Sequence, residues 1–324
     1  MPRPEEVRHS CFDMHVALVT CTNPPQEDFD APPLLAALRA SGHRSAEVAW
    51  DDPAIAWDQY DAALLRSTWD YFHRLEDFLD WAARVASSIP LWNSLAFVRW
   101  NTHKFYLQEL AAMGIPIAPT EFVPAHTHLD VASVLAARGW DAAVIKPAVS
   151  ADAFATLRVE RGAEQPGQDH LASHRERDML VQRYLPTVVE PGERCLVFID
   201  GDFSHAVRKR SLFRGGRHAG PEGVPVPAEE DEIALARRIL ACAGRAVAEE
   251  AAGSSISCVV ADGAGDAERI EAPLYARVDL LRDEAGTPHL MELELVEPSL
   301  FFDARAGSEM RLVQALESRA RQRD

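Results

Sequence analysis

Leu274-Tyr-Ala-Arg277-Val-Asp279-Leu-Leu-Arg-Asp-Glu-Ala-Gly-Thr-Pro-His-Leu-Met-Glu292-Leu-Glu294-Leu295 decides how this chain is read. Two runs of alternating apolar and polar residues flank Asp283–Pro288, which predicts an antiparallel hairpin with its turn centred between Ala285 and Gly286. A two- or four-residue loop about that centre sets Asp279 opposite Glu292 and Arg277 opposite Glu294, whereas a three-residue loop would slip the register by one and break the opposition. The period of two then gathers Arg277, Asp279, Glu292 and Glu294 on one face. Val278, Leu280, Met291, Leu293 and Leu295 take the other, as core. Opposed carboxylates repel unless something positive lies between them, and a divalent cation held by hard oxygens is the chemistry that suits them. A solvated strand pair neutralised by Arg277 and Arg282 is the plainer alternative.

Composition narrows the field. The 324 residues are 47% hydrophobic and 26% charged, as in a globular chain long enough for two or three packed units. A formal net charge of −17 opposes phosphate backbones and anionic membranes, so neither nucleic acid nor membrane is an expected partner. The apolar runs are too short to span a bilayer and the N-terminus has no apolar signal core, so a cytoplasmic location is expected. Cys11, Cys21, Cys195, Cys242 and Cys258 are odd in number and form no C-x-x-C pair, which predicts reduced, packed thiols.

Along the chain, residues 1–13 read as an extension. The apolar strand at 16–20, a helix from Asp30 with Pro32 and Pro33 in its first turn, and strands near 47–50 and 61–66 predict a small parallel α/β domain over 1–97, in which Asp30 is a helix N-cap. Helices follow at 75–86 and 102–113. A central unit over 98–182 holds a helix at 132–138 and strands at 142–146 and 179–184. The last unit, 183–324, opens with a hairpin about Asp200-Gly201-Asp202 and continues with a helix at 229–252, strands at 256–261 and 274–295, and a terminal helix. The fold class is thus α/β and α+β, a small parallel domain followed by two α+β units.

Only three lysines occur. Lys104 opens a predicted helix, Lys146 ends a strand before the small-residue loop 147–156, and Lys209 follows Arg208. A lysine at a strand's carboxyl end beside such a loop can reach phosphate as a point charge, although most lysines are simply solvated.

These residues resemble the ATP-grasp ligases, on the glutathione-synthetase-like side and especially the D-cycloserine-forming (O-ureidoserine cyclo-ligase) branch. The resemblance runs through Arg66-Ser-Thr-Trp-Asp-Tyr71, Trp100-Asn-Thr-His-Lys104, Ile145-Lys-Pro147, Val181-Gln-Arg-Tyr-Leu-Pro186 with Gly192-Glu193, Arg277-Val-Asp279, Glu292-Leu-Glu294 and Glu297-Pro-Ser299. It implies ATP clamped between two α+β units, with a carboxylate activated as an acylphosphate and captured by an amine. Carried onto this chain, it assigns the phosphates to Lys104 and Lys146, the adenine hinge to Gln182, Tyr184 and Leu185, and the ribose to Glu193. It assigns two Mg²⁺ ions, replaceable by Mn²⁺, to Asp279, Glu292 and Glu294, and the transferring phosphoryl group to Arg277. Two positions depart from the family pattern: loop 147–156 lacks glycines, leaving Ser150, Ala151 and Ala153 to offer backbone N–H groups, and Glu294 stands where Asn is common.

Arg66 ends a strand of the parallel domain, and ligands of such sheets lie beyond the carboxyl strand ends. Arg66, Ser67, Thr68, Trp69 and Asp70 are therefore expected to line the substrate pocket with Ser299; Trp69 and Tyr71 packing a domain interface is the alternative. Arg208, Arg214 and the catalytic candidate Lys209 either hold the substrate carboxylate or acylphosphate or belong to a solvated, Gly-rich loop. The expected partners are a small amino-acid-like carboxylate and an amine, and a homodimer is compatible with the sequence. Rival readings are a small-molecule kinase of the same fold and a non-catalytic nucleotide-binding regulator.

Overall fold

The computed structural model describes residues 13–151, 153–209, 223–252 and 272–323, without the side chains of 250–252. Three sheets carry the fold. The first is parallel, in the order β2-β1-β3-β4, built from β1 (His15–Thr20), β2 (Arg44–Ala49), β3 (Ala62–Ser67) and β4 (Leu91–Trp92). Val16-Ala-Leu-Val19 is an unbroken apolar run because both faces are covered. On one face, α1 (Ala31–Ala40) and the terminal α8 (Ser308–Arg321) pack Leu34, Leu38 and Leu312 against Val16, Leu18 and Leu64. On the other, α2 (Leu75–Ala86) packs Phe78, Trp81 and Val85 against Ala17, Val19 and Leu65.

The second sheet is antiparallel, β5-β8-β6-β7, from β5 (Thr120–Val123), β6 (Ala142–Pro147), β7 (Leu157–Glu160) and β8 (Met179–Arg183). Helices α5 (Val131–Arg138) and α6 (Gln165–Ser173) cover one face. α6 comes so close that a Cβ at Gly167 would lie 2.6 Å from Val159 Cγ1. Sequence periodicity did not predict β5, β7 or α6, each short and weakly patterned.

The third sheet is antiparallel, β11-β10-β9-β12-β13, from β9 (Arg194–Ile199), β10 (Asp202–Lys209), β11 (Gly223–Val226), β12 (Tyr275–Arg282) and β13 (Pro288–Glu294). Asp200 and Gly201, at φ 54° and 81°, make the tight turn between β9 and β10 that both left-handed positions require. One face meets α7 (Glu230–Ala252) through Ala236, Ile239 and Ala243. The helix expected over 102–113 starts later, as α4 (Tyr106–Ala112), and α3 (Leu95–Asn101), which the sequence reading does not contain, precedes it. The break between them turns the Lys104 backbone to Ala148, its N–H donating to that carbonyl at 2.8 Å. The strand expected at 256–261 and most of the 1–13 extension lie outside the described residues. Cys21, Cys195 and Cys242 are buried without disulfides. Among the described residues no helix is long and apolar enough to cross a membrane.

The first and third sheets share a core rather than meeting across a linker. Val16, Leu18 and Trp92 pack in one cluster with Cys195, Val197, Tyr275 and Leu316. Polar stitching runs through it: Asn93 Nδ2 donates to the carbonyls of Tyr275 (2.9 Å) and Leu295 (2.7 Å), and its Oδ1 accepts Leu274 N–H at 2.6 Å. Tyr275 donates its hydroxyl to Leu65 O at 2.8 Å. Replacing Asn93 by Ala strands three buried backbone groups, and at about 1–3 kcal/mol for each unsatisfied group that water does not rescue, a loss of roughly 3 kcal/mol is expected. Urea unfolding of Asn93→Ala measures it.

Candidate active site

The hairpin turn differs from the expected one, yet the acid pair stands where it was expected. Asp283 N–H donates to Thr287 O at 2.9 Å, closing a three-residue loop that needs Gly286 at φ 85°. From that turn Leu281 pairs with His289 and Leu280 with Leu290; a bulge then shifts the ladder, so Asp279 faces Glu292 and Arg277 faces Glu294. The extra residue is Met291. Expected in the core, it lines the cleft instead, next to Glu292, because a bulge places two residues of one strand opposite one of the other.

Arg277 is 3% exposed and holds the cluster together. Its Nε and Nη2 donate to the two oxygens of Asp279, each at 2.8 Å, and Nη2 also donates to Glu294. Lys104 Nζ lies 3.1 Å from Glu292 and donates to Ser150 O at 2.6 Å, so one ammonium spans hairpin and loop. Burial drives the Glu294 carboxyl up, and nearby Asp279 and Glu292 add to it against Arg277 and Lys209, leaving it at about 7. For Glu292, burial is outweighed by Lys104, Lys146 and Lys209, which bring it to about 2. Burial lowers Lys146, with Glu292 opposing, whereas Lys209 is raised because Glu193, Asp279 and Glu294 outweigh burial and Arg277.

A divalent ion fits this donor set in chemistry and, in part, in access. Carboxylate oxygens suit Mg²⁺. Glu292 and Glu294 open on the cleft. Asp279, by contrast, is fully buried with both oxygens on Arg277, and among the described residues no group of three or more His, Cys, Asp or Glu side chains is arranged to hold a metal.

The same cleft is lined by Lys104, Lys146, Ser150 and Ala151, by Gln182, Tyr184, Leu185 and Glu193, and by Lys209 and Arg277. Gln182 is buried, donating to Thr120 Oγ1 at 3.0 Å, and the Arg158 guanidinium lies 3.9 Å from the Tyr184 ring centre. Val144, Leu281 and Met291 also line the cleft beside Leu185 and went unpredicted. Strand alternation carries the signal for Leu281, two residues beyond Asp279 on the same face. Glu297 and Tyr71 line it too, within the Glu297–Ser299 and Arg66–Tyr71 motifs but outside the expected site residues.

The substrate assignments divide. Trp69 and Ser299 line the cleft, Trp69 donating its indole N–H to Glu297 O at 3.1 Å. Arg66, Ser67, Thr68 and Asp70 do not. Arg66 is 1% exposed and donates Nη2 to Asp30 at 3.2 Å; Ser67 and Thr68 are buried, and Asp70 accepts from Trp50 and Arg74. The strand end points into protein here, because the residues after β13 close over it. Arg208 lies on the face of β10 opposite Lys209 and approaches Glu190 at 3.8 Å, as alternation requires. Arg214 is outside the described residues. Asp30 holds the N-cap position of α1, but its side chain makes no cap bond.

Burial, reinforced by Glu294 and Glu292, pushes the Glu297 carboxyl up to about 8 from 4.5. Below its ordinary range it is protonated folded or unfolded; between about 4.5 and 8 the unfolded chain releases a proton that the folded chain keeps, so stability falls as pH rises. In chelator, the urea midpoint is expected to drop between about pH 5 and pH 8, and less steeply in Glu297→Gln.

Residues 16–93 match the family described as the N-terminal domain of the D-cycloserine synthetase DcsG. The cycloserine biosynthesis protein DcsG of Streptomyces lavendulae is 32% identical, over 94% of this chain and 98% of that protein. The crystal structure of D-cycloserine synthetase DcsG superposes with a TM-score of 0.82 at 30% identity, covering 94% of this chain and 99% of that one. The fold extends to the ATP-complexed D-alanine–D-alanine ligase of Bacillus anthracis, with a TM-score of 0.63 at 13% identity over 95% of this chain and 98% of that one. With 32% identity to DcsG over nearly the whole of both chains, a matching N-terminal family and a parallel sheet joined to two antiparallel ones, the chain belongs to the D-cycloserine synthetase DcsG family of ATP-grasp ligases.

Proposed function

We propose that the protein is an ATP- and Mg²⁺-dependent carboxylate–amine ligase that activates the carboxylate of a small amino-acid-like substrate as an acylphosphate. The observation that carries this reading is one cleft in which Lys104, Lys146, Lys209 and Arg277 surround Glu292 and Glu294. An apolar slot of Val144, Leu185, Leu281 and Met291 opens on the same space. A flat apolar base fits the slot, with Gln182 and Tyr184 at its edge and Glu193 toward the ribose. The nucleotide then lies between units 98–182 and 183–324, its phosphates running along Lys146, Ser150 and Ala151 to Lys104.

Glu292 and Glu294 would hold Mg²⁺, while Asp279 keeps both oxygens on Arg277 and so holds that guanidinium in the cleft. The metal supplies positive charge to non-bridging phosphate oxygens. Lys209 and Arg277 orient the γ-phosphoryl and offset its charge. A substrate carboxylate oxygen bonds to the γ-phosphorus as the bond to ADP breaks. The amine nitrogen then bonds to the acyl carbon, inorganic phosphate leaves, and the nitrogen releases a proton to solvent or a nearby base. Loop 147–156 would exclude water meanwhile. Trp69, Ser299 and Glu297 mark the substrate end. The similar D-cycloserine synthetase makes a cyclic product, which favours capture by a nitrogen of the same molecule.

An ADP-release screen over amino acids and their ureido- and amino-oxy analogues, both enantiomers of O-ureidoserine included, tests this with mass spectrometry of the products. Ligation yields ADP, phosphate and a condensed product; a phosphorylated product with no condensation would make the protein a kinase. Glu292→Gln is expected to lower turnover at least a hundredfold in excess Mg²⁺ while remaining folded, melting slightly lower because its contact with Lys104 weakens. Full turnover in that variant refutes the metal role. Lys146→Ala is expected to weaken ATP binding by ten- to a hundredfold, the equivalent of about 1.5–3 kcal/mol for one lost charge-assisted contact. Arg321→Ala, on α8, serves as the control, and equal ATP affinities by calorimetry would return Lys146 to an ordinary surface role.

A further inference from the structure

Asp30 occupies a helix N-cap position and leaves its own helix uncapped. An Asp there ordinarily accepts a bond from its helix, worth about 1 kcal/mol. Its carboxylate turns instead to the chain that follows β13. Oδ2 accepts the N–H groups of Leu300 at 2.5 Å and Phe301 at 3.3 Å, and Oδ1 accepts Phe302 N–H at 2.9 Å. Arg66 Nη2 donates to Oδ2 at 3.2 Å, supplying the countercharge that a 5%-exposed carboxylate needs. From the other side His205 meets Leu300 O at 2.9 Å. The turn so clamped holds Phe301 at φ 49°, a left-handed conformation that a bulky residue keeps only when its surroundings impose it.

This turn touches the cleft at two points. Ser299, which precedes it, accepts Arg277 Nη1 on its carbonyl at 3.3 Å, and the Phe301 ring lies 5.6 Å from the Arg277 guanidinium carbon. Asp279 and Glu294 hold the other edges of the same guanidinium. Ser299 O and the Phe301 ring complete its enclosure.

We propose that Asp30, held by Arg66, is a positioning residue: by fixing the 299–302 turn it sets where the Arg277 guanidinium points. The parallel domain thus acts on the reaction through three backbone N–H groups and one carbonyl, without touching substrate. The inference rests on the ligase reading, in which Arg277 faces the transferring phosphoryl group. A misaimed guanidinium loses stabilisation of the transition state and leaves ground-state binding of ATP to the lysines and the apolar slot.

Asp30→Asn keeps the size of the side chain but removes its charge and sets an amide against backbone donors. With Mg·ATP and O-ureidoserine, kcat is expected to fall at least tenfold while both KM values and the ATP Kd stay within twofold. The double variant D30N/R66M, in which no unpaired guanidinium remains buried, is expected to stay slow. His43→Ala, which removes a buried contact to Glu317 at 2.9 Å, is the structural control and should lower the melting temperature with kcat intact. An Asp30→Asn protein that loses melting temperature but keeps kcat overturns the proposal, as does recovery of kcat in the double variant. A raised O-ureidoserine KM with unchanged kcat in Arg66→Met also overturns it, returning Arg66 to direct substrate binding. Should Asp30→Asn not fold, Arg66→Lys loosens one contact of the four, and unchanged kcat there counts against the proposal. If wild type turns over no carboxylate, the ligase reading fails by itself. Hydrogen exchange then judges the clamp, and Asp30→Asn without faster exchange at Leu300–Phe302 overturns it.

Discussion

Asp279 has no exposed surface, so the arrangement of the cleft begins with the need to match its charge. Arg277, two residues away on the same face of β12, meets both carboxylate oxygens, and losing one partner of such a buried pair costs about 3–5 kcal/mol. β12 lies between β9 and β13, which fixes the pair in the sheet's interior and puts Cys195 across from Asp279. Glu292 and Glu294 then arrive from β13 on the same face and add negative charge that one guanidinium cannot offset. Lys104, Lys146 and Lys209 come from three different segments to supply the rest. All three lysines of the chain are gathered around one hairpin. The plainer reading of the hairpin, acids neutralised by Arg277 and Arg282, holds only in half: Arg277 is in the cluster, whereas Arg282 pairs with Asp231 and the buried Glu232 of α7.

Much of this was legible because a strand's alternation is strict. The identity of the acid face and the inward turn of Lys209 follow from a period of two once the strands are placed. What alternation cannot show is a bulge. The three-residue loop slips the ladder by one and the bulge at Met291 slips it back, so two departures cancel at the acid pair. They do not cancel at Met291, which is why a residue assigned to the core lies in the cleft. The same rule applied to β10 would have separated Arg208 from Lys209; adjacency in sequence was mistaken for adjacency in space.

Arg66 shows a different limit. Its place at the carboxyl end of a parallel strand is correctly read, and such ends usually face a ligand crevice. Here a segment more than 200 residues later folds over the strand end, and its backbone N–H groups take Asp30, the partner of Arg66. Local pattern contains no information about that return. The late start of α4 is hidden for a related reason: residues 102–105 are compatible with helix, and the bond that takes the Lys104 N–H to Ala148 O is tertiary.

The loop after Lys146 shows how the missing glycines are accommodated. Ala153 and Ala155 stand at φ 54° and 49°, where a Cβ costs roughly 1–2 kcal/mol per residue. Nothing in their own side chains offsets that. The compensation comes from neighbours: Phe154 sets its ring 5.0 Å from Phe72 of the parallel domain, Ser150 accepts Lys104 Nζ, and Ala151 packs with the aromatic core below α2. An aromatic pair contributes about 0.5–1.5 kcal/mol and a charge-assisted bond about 1.5–3 kcal/mol, together comparable to the strain. His170 adds a contact to Ala155 O at 2.8 Å, so several anchors share in holding this conformation. One of them, Lys104, also faces Glu292, so the charge balance of the cleft and the position of its cover depend on the same ammonium group.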